Sequence, residues 1–190
     1  MLFEKAIAFT DIHFGHKANS TEHNIDCVEF IKWMVGVAKE QGIETCLFLG
    51  DWHHNRQTVN VETLNYSYEG MKLLNDNFKE VYFIVGNHDL YFRDNRDISS
   101  LVYARDLKNI IYINEKYETD DVVFYPWLVG DEWKEIKKNK KKYVFGHFEL
   151  PDFYLNSMVK MPDTGELKDN DFKKAGQVFT GHFHKRQTKG

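Results

Sequence analysis

Five apolar runs in this 190-residue chain each stop on a carboxylate, an amide or a histidine, and that arrangement constrains the fold more than any other feature. Residues 6–10 lead into Asp11 and His13, and residues 46–49 lead into Gly50 and Asp51. Residues 81–85 lead into Gly86, Asn87, His88 and Asp89. Residues 143–145 lead into Gly146 and His147, and residues 178–180 into Gly181, His182 and His184. Short runs rich in β-branched and aromatic residues read as buried strands, and in α/β sheets chemistry gathers just past the strand carboxyl ends. Five strand tips then deliver their donors to one place.

The segments between these runs read as helices and loops. Residues 24–41 place Cys27, Val28, Ile31, Met34, Val35 and Ala38 at helical spacing, with Gly42 as the stop. A second helix is expected over 61–76, capped by Asn60, with Leu64, Met71 and Leu74 among its buried positions. A short helix to 108 follows Ser99 or Ser100, then strands at 110–113 and 122–125, a charged helix over 131–142, a loop over 146–168 and a short helix near 170–174. The alternation says α/β, and no repeat or linker divides the chain, so residues 1–190 form one domain. Only six residues follow His184, too few for a further strand, so a chain trimmed at its C-terminus is expected.

Composition excludes some functions. A net charge of −4 argues against coating DNA or membranes by bulk electrostatics, but not against a nuclease whose metals meet the phosphate. Cys27 and Cys46 read as small buried hydrophobes in a reducing compartment. The apolar stretch within residues 1–10 is too short for a signal peptide, and no run reaches membrane-spanning length. A cytoplasmic protein with no membrane partner is expected.

The donor types point to metal chemistry. Two divalent cations a few ångströms apart need a ligand that touches both, and a carboxylate such as Asp51 does this best. Asp11 and His13 share a face of an extended segment, as do His182 and His184. Asn87 adds a carbonyl oxygen and His147 a nitrogen. This mixture suits manganese, iron or zinc better than calcium. The glycines before the ligands allow sharp turns and leave room for a phosphate. Asp-x-His alone is common by chance, and Gly-Asp after a strand is often only a turn. All the motifs in this order leave the chance reading a few percent.

The ordered motifs at 11–13, 50–51, 86–89, 146–147 and 181–184 resemble those of the calcineurin-like metallophosphoesterases. Residues 10–15, 85–90, 146–150 with Phe153 and Tyr154, 180–184, and the Pro126-Trp127 pair are similar to the SbcD-type nuclease subunit of recombination and break-repair complexes, especially its phage form. Serine/threonine protein phosphatases match less well, carrying Glu where this chain has Asp89. The resemblance implies a four-layer α-β-β-α sandwich of two mixed sheets flanked by helices. It implies two divalent ions, Mn2+ preferred, with Fe2+, Zn2+ or Mg2+ as substitutes. Metal one falls to Asp11, His13, Asp51 and His184, and metal two to Asp51, Asn87, His147 and His182.

By the same analogy His88 faces the scissile phosphate, Asp89 either orients His88 or caps its loop, and His54 contacts DNA near the cut. Arg93 and Arg96, in the loop after the third motif, and His16 are candidate nucleic-acid contacts. DNA is the implied substrate, and an SbcC-type ATPase subunit the implied partner of full-length members. Helices near 61–76 and 98–108 would pair a homodimer. The capping domain and ATPase-binding segment of such members are expected to be absent from this chain. The lysine run at 134–142 reads as a solvated helix face before it reads as a DNA patch. Two other functions fit less well. One is a small phosphodiesterase or phosphatase acting on nucleotides or small phosphoesters. The other is a non-catalytic partner-binding scaffold, which would normally have lost several ligands.

Overall fold

The computed structural model describes residues 2–155 and 157–189, and its strands form two four-stranded sheets. In the first, β1 (Ile7–Phe9), β2 (Thr45–Phe48), β3 (Glu80–Ile84) and β4 (Ile110–Ile113) are all parallel, in sequence order. In the second, β5 (Tyr117–Glu118) runs antiparallel to β6 (Val122–Tyr125), while β6, β7 (Tyr143–His147) and β8 (Gln177–Gly181) are parallel. Only the second sheet is mixed. The first has a helix or helical turn between each pair of strands, and such crossovers keep neighbours parallel.

Side-chain alternation along the strands defines the layers. Cys46 and Phe48 of β2 point to α2 (Thr21–Glu40) and α3 (Val61–Asn77), packing with Ile31, Met34, Met71 and Leu74. Leu47 and Leu49 point the other way and meet Val122, Phe124 and Phe145 of the second sheet. Tyr82 stacks on Phe124 across that interface with ring centroids 4.8 Å apart. Val123, Tyr125 and Val144 face outward, under Ile136, Leu167 and Phe172. The order helix–sheet–sheet–helix follows, though the last layer is thin.

That thin layer departs from the expected elements. The charged helix over 131–142 shrinks to α4 (Trp133–Ile136). After Ile136 no apolar residue remains before Tyr143, so the lysine-rich segment has no face to bury. Asn139 then turns the chain, accepting the Lys141 backbone N–H at 2.7 Å and donating to the Tyr125 hydroxyl. The helix expected to reach 108 is a 3-10 turn, Val102–Asp106, and the one near 170 another, Asp169–Phe172. Leu64 lies on the outer face of α3 and is 41% exposed. No described helix is long and apolar enough to cross a membrane.

α2 begins at Thr21, three residues before the expected start, because the Ser20 hydroxyl caps it by accepting the His23 N–H. Asn60 caps α3 through the N–H groups of Glu62 and Thr63. The short α1 (His16–Asn19) is unusual, since Lys17, Ala18 and Asn19 all have left-handed dihedrals. Buried Asn24 pins this turn by accepting the Gly15 N–H at 2.9 Å and donating to Thr63 at 3.1 Å.

Candidate metal centre

The parallel strands of both sheets end at one edge, and their loops remain paired beyond it. Asp11 donates its N–H to Gly50, His13 to Asp51, and Phe14 to Trp52, at 2.8–3.2 Å. At these strand ends the backbone is strained. Asp11, His13, Asp51 and His182 have φ of 54°, 51°, 62° and 84°, a region non-glycine residues seldom enter. Such strain costs about 1–3 kcal/mol per residue and collects at functional sites, where surrounding structure enforces it. Here it turns four donor side chains toward one point.

Those donors form two clusters, Asp11, His13 and His184 in one and Asp51, His147 and His182 in the other. In the first, His13 Nε2 lies 3.0 Å from His184 Nε2 and 3.9 Å from Asp11 Oδ1. In the second, His147 Nε2 lies 3.3 Å from Asp51 Oδ2 and 3.1 Å from Asn87 Oδ1. Asn87 Oδ1 also lies 3.2 Å from His182 Nδ1. Asp51 Oδ2 is 3.8 Å from His13 Nε2, so one carboxylate oxygen addresses both clusters. All seven residues expected as metal ligands are therefore gathered together.

The donor chemistry fits a cation. His147 Nδ1 lies 2.7 Å from the Leu49 carbonyl, which can only accept, so Nδ1 carries a proton. His147 Nε2 then faces two acceptor oxygens, those of Asp51 and Asn87. Burial opposes charge on His147, yet the Asp51 and Asp11 carboxylates and the Leu49 carbonyl outweigh it and lift its pKa to about 9. Burial alone would raise the Asp51 pKa, but His147, His88 and His13 hold it well below the usual range. The site demands positive charge, which a proton or a metal can supply. Burial keeps His13 and His182 neutral, each with a pKa near 3, so their ring nitrogens keep a lone pair.

Close packing bears out only one of the two jobs expected of these glycines, the turn and not the room for a phosphate. A Cβ on Gly86 would fall on the Asp51 backbone nitrogen and carboxylate, and one on Gly50 on the His147 ring. The space beside them is filled by Asp51 and His147, the candidate ligands, and not held for a phosphate. Gly50 also has φ of 102°, which favours glycine.

The Asp89 carboxylate makes no hydrogen bond to the His88 ring among the described residues. Fully buried, it accepts four backbone N–H groups, from Asp51 and Gly86 on Oδ2 and from Trp52 and His53 on Oδ1, at 2.9–3.0 Å. Of its two expected roles it takes the loop cap, and it joins the second and third motifs. His88 donates its backbone N–H to Asp51 Oδ1 at 2.8 Å. Its ring is fixed by the His54 carbonyl, 2.6 Å from Nδ1, and stacks on the His54 ring. His16 Nδ1 lies 3.4 Å from His54 Nε2, extending a row of imidazoles from His13 outward.

Arg93 and Arg96 differ. Arg96 is clamped by Glu132 and donates to the Trp127 carbonyl at 2.7 Å, with a side chain only 12% exposed. It is a structural tie, not an open phosphate contact, because its fork is already filled. Arg93 is more exposed and pairs with Glu149 at 2.7 Å.

Several supporting groups carry no motif. Thr10 donates to Asp11 Oδ2 at 2.6 Å, and the Leu49 carbonyl orients His147. Glu149 Oε1 lies 3.9 Å from His182 Nε2, and the Trp127 ring packs against His182 and His147. Buried His53 spans Ser67 and Ser100, with 2.7 Å to each hydroxyl. The signal available for Thr10, Glu149 and His53 was adjacency to a ligand motif; for Ser67 there was none.

The chain belongs to the calcineurin-like phosphoesterases, whose family model matches residues 5–186. Exonuclease subunit 1 of Enterobacteria phage T4 is 27% identical over 191 residues, covering 95% of this chain. The chain spans 55% of that relative's length. A solved structure of Pseudomonas putida nuclease MPE aligns over 83% of this chain and 67% of its own, at 19% identity and a TM-score of 0.44.

Proposed function

We propose that this chain is a two-metal phosphodiester hydrolase that cuts DNA as the nuclease subunit of a recombination-repair complex, with Mn2+ as its resident metal. One observation carries the hydrolase reading: seven donors meet in two clusters sharing Asp51, with His184 on the open side at 64% side-chain exposure. The DNA reading is supported by the relative's name, exonuclease subunit 1, and by the imidazole row of His16, His54 and His88 at the mouth. An ATPase partner, a homodimer and a cytoplasmic location belong to the same proposal.

When bound, divalent cations would neutralise phosphoryl charge and lower the pKa of water. The chain's own part is positioning. Asp51, Asn87, His147 and His182 would hold the inner ion, and Asp11, His13, Asp51 and His184 the outer. His88, with Nδ1–H given to the His54 carbonyl, presents Nε2 as the exchangeable site for a proton to the leaving oxygen, worth about 10²–10⁴ in rate.

A manganese titration with end-labelled single-stranded DNA and, in parallel, bis-p-nitrophenyl phosphate tests this. Metal-dependent release of nucleotides is expected. Hydrolysis of the small ester with intact DNA would move the assignment to a small-molecule phosphodiesterase. Manganese binding with neither substrate cut would remove the hydrolase.

A further inference from the structure

We propose that the cavity beside the second donor cluster receives an unstacked nucleobase of the substrate strand; the inference rests on the phosphodiesterase reading above. The cavity has a volume of about 400 Å³ and is lined by Arg93, Trp127, Trp133, His147, Glu149 and Glu166 among others. That volume lies within the ~300–1,000 Å³ of small-molecule sites. Its inner wall is the wall of the metal centre. His147 lines both, and the Trp127 ring centroid is 5.6 Å from that of His182. A group held here is next to a phosphate on the donors.

The lining decides which part of a nucleotide enters. Three carboxylates (Asp94, Glu149 and Glu166) face one guanidinium, and Arg93 is already paired with Glu149 through both oxygens at 2.7 and 2.8 Å. With Arg93 already committed to Glu149, the lining holds no free guanidinium for a second phosphate among the described residues. It suits the N–H edge of a base, since carboxylates only accept hydrogen bonds. The walls supply the rest of the recognition. Arg93 sits 5.4 Å from the Trp127 ring centroid, and Trp127 Nε1 donates to the Arg93 carbonyl at 2.9 Å, so arginine and indole form one rigid face. Trp133 is half-buried against the outer core, with the Lys137 ammonium 4.8 Å from its ring centroid. Aromatic and guanidinium planes bind bases by stacking, with little regard to sequence. Guanine, with adjacent ring and amino N–H donors, suits a carboxylate rim better than thymine. A base must leave its stack to enter, so the pocket would favour single strands and frayed ends.

The test uses the full chain, Trp133→Ala and Glu166→Gln, the second being an exposed polar change that leaves the core alone. Tryptophan fluorescence is first titrated with dGMP and dTMP in metal-free buffer. Quenching is expected with dGMP favoured, about tenfold weaker in Trp133→Ala and with the dGMP preference lost in Glu166→Gln. Turnover with Mn2+ is then compared for p-nitrophenyl esters of deoxyguanosine 5′-phosphate and of methyl phosphate, which share a leaving group. The ratio of their kcat/KM values should fall about tenfold in Trp133→Ala. An unchanged ratio, or no response to dGMP in the parent chain, overturns the proposal. If neither ester is hydrolysed the hydrolase reading fails, while the fluorescence titration still decides on the base.

Discussion

The Asp89 carboxylate accepts the backbone N–H of Asp51 at 3.0 Å while both side chains lie buried at the junction of two strand-end loops. Three further N–H groups converge on Asp89, so it sets the backbone that aims Asp51. Asp89→Asn replaces one acceptor oxygen with an NH2 group facing N–H donors. Leaving buried donors unpaired costs about 1–3 kcal/mol each. A loss of at least ~3 kcal/mol is expected, or about 6–12 °C in Tm for a chain of this size. Thermal melts of the two proteins check this, and a Tm within about 2 °C of the parent would contradict the keystone role.

Ser67 serves three partners. Its hydroxyl lies 2.7 Å from His53 Nε2, 2.9 Å from the Tyr103 hydroxyl and 3.2 Å from Trp52 Nε1. Ser67→Ala strands at least one of these buried groups, and a loss of about 2 kcal/mol follows. Urea unfolding should show a lower midpoint with an unchanged slope. An unaltered midpoint would mean that the network adds nothing.

The two arginines after the third motif should separate in experiment. Arg96→Ala removes hydrogen bonds to Glu132 and to the Trp127 carbonyl, at a cost of roughly 1.5–3 kcal/mol. It should leave the salt dependence of single-strand binding unchanged, because its fork is filled within the protein. A shallower slope of log affinity against log salt in Arg96→Ala would return it to the DNA interface.

The thiols should be silent. Burial, with Asp26 beside it, pushes the Cys27 thiol up to about 12, and burial raises Cys46 further. A raised thiol pKa shrinks the reactive thiolate fraction at every pH below it. Neither cysteine should react with a disulfide reagent at pH 8 until the chain is unfolded. Rapid labelling of the native protein at that pH would contradict their burial.

Where the chain spells out a buried strand followed by a donor, the fold and the candidate ligands were legible together, as at Asp51 and His182. Continuous apolar runs marked β2 and β6 as strands buried on both faces, and period 3–4 gave α2 its buried stripe. What sequence could not show was reach. Asp89 looks like one more residue of a motif, and only the closed fold brings the three distant N–H groups of Asp51, Trp52 and His53 to it. Nothing local marks Ser67 or Arg96, because their partners are about 14–36 residues away. The lysine run after Ile136 has helix-forming residues but no apolar face, so propensity misled where packing decides. The left-handed turns at Asp11, His13 and Asp51 are set by loop pairing that no residue type announces.

The most direct test counts manganese per chain by isothermal titration and elemental analysis, for the parent and for Asp51→Asn. Asp51 addresses both donor clusters, so two ions are expected in the parent and at most one, weakly held, in the variant. Two tightly bound ions in Asp51→Asn, or none in the parent, would contradict a centre built around that carboxylate.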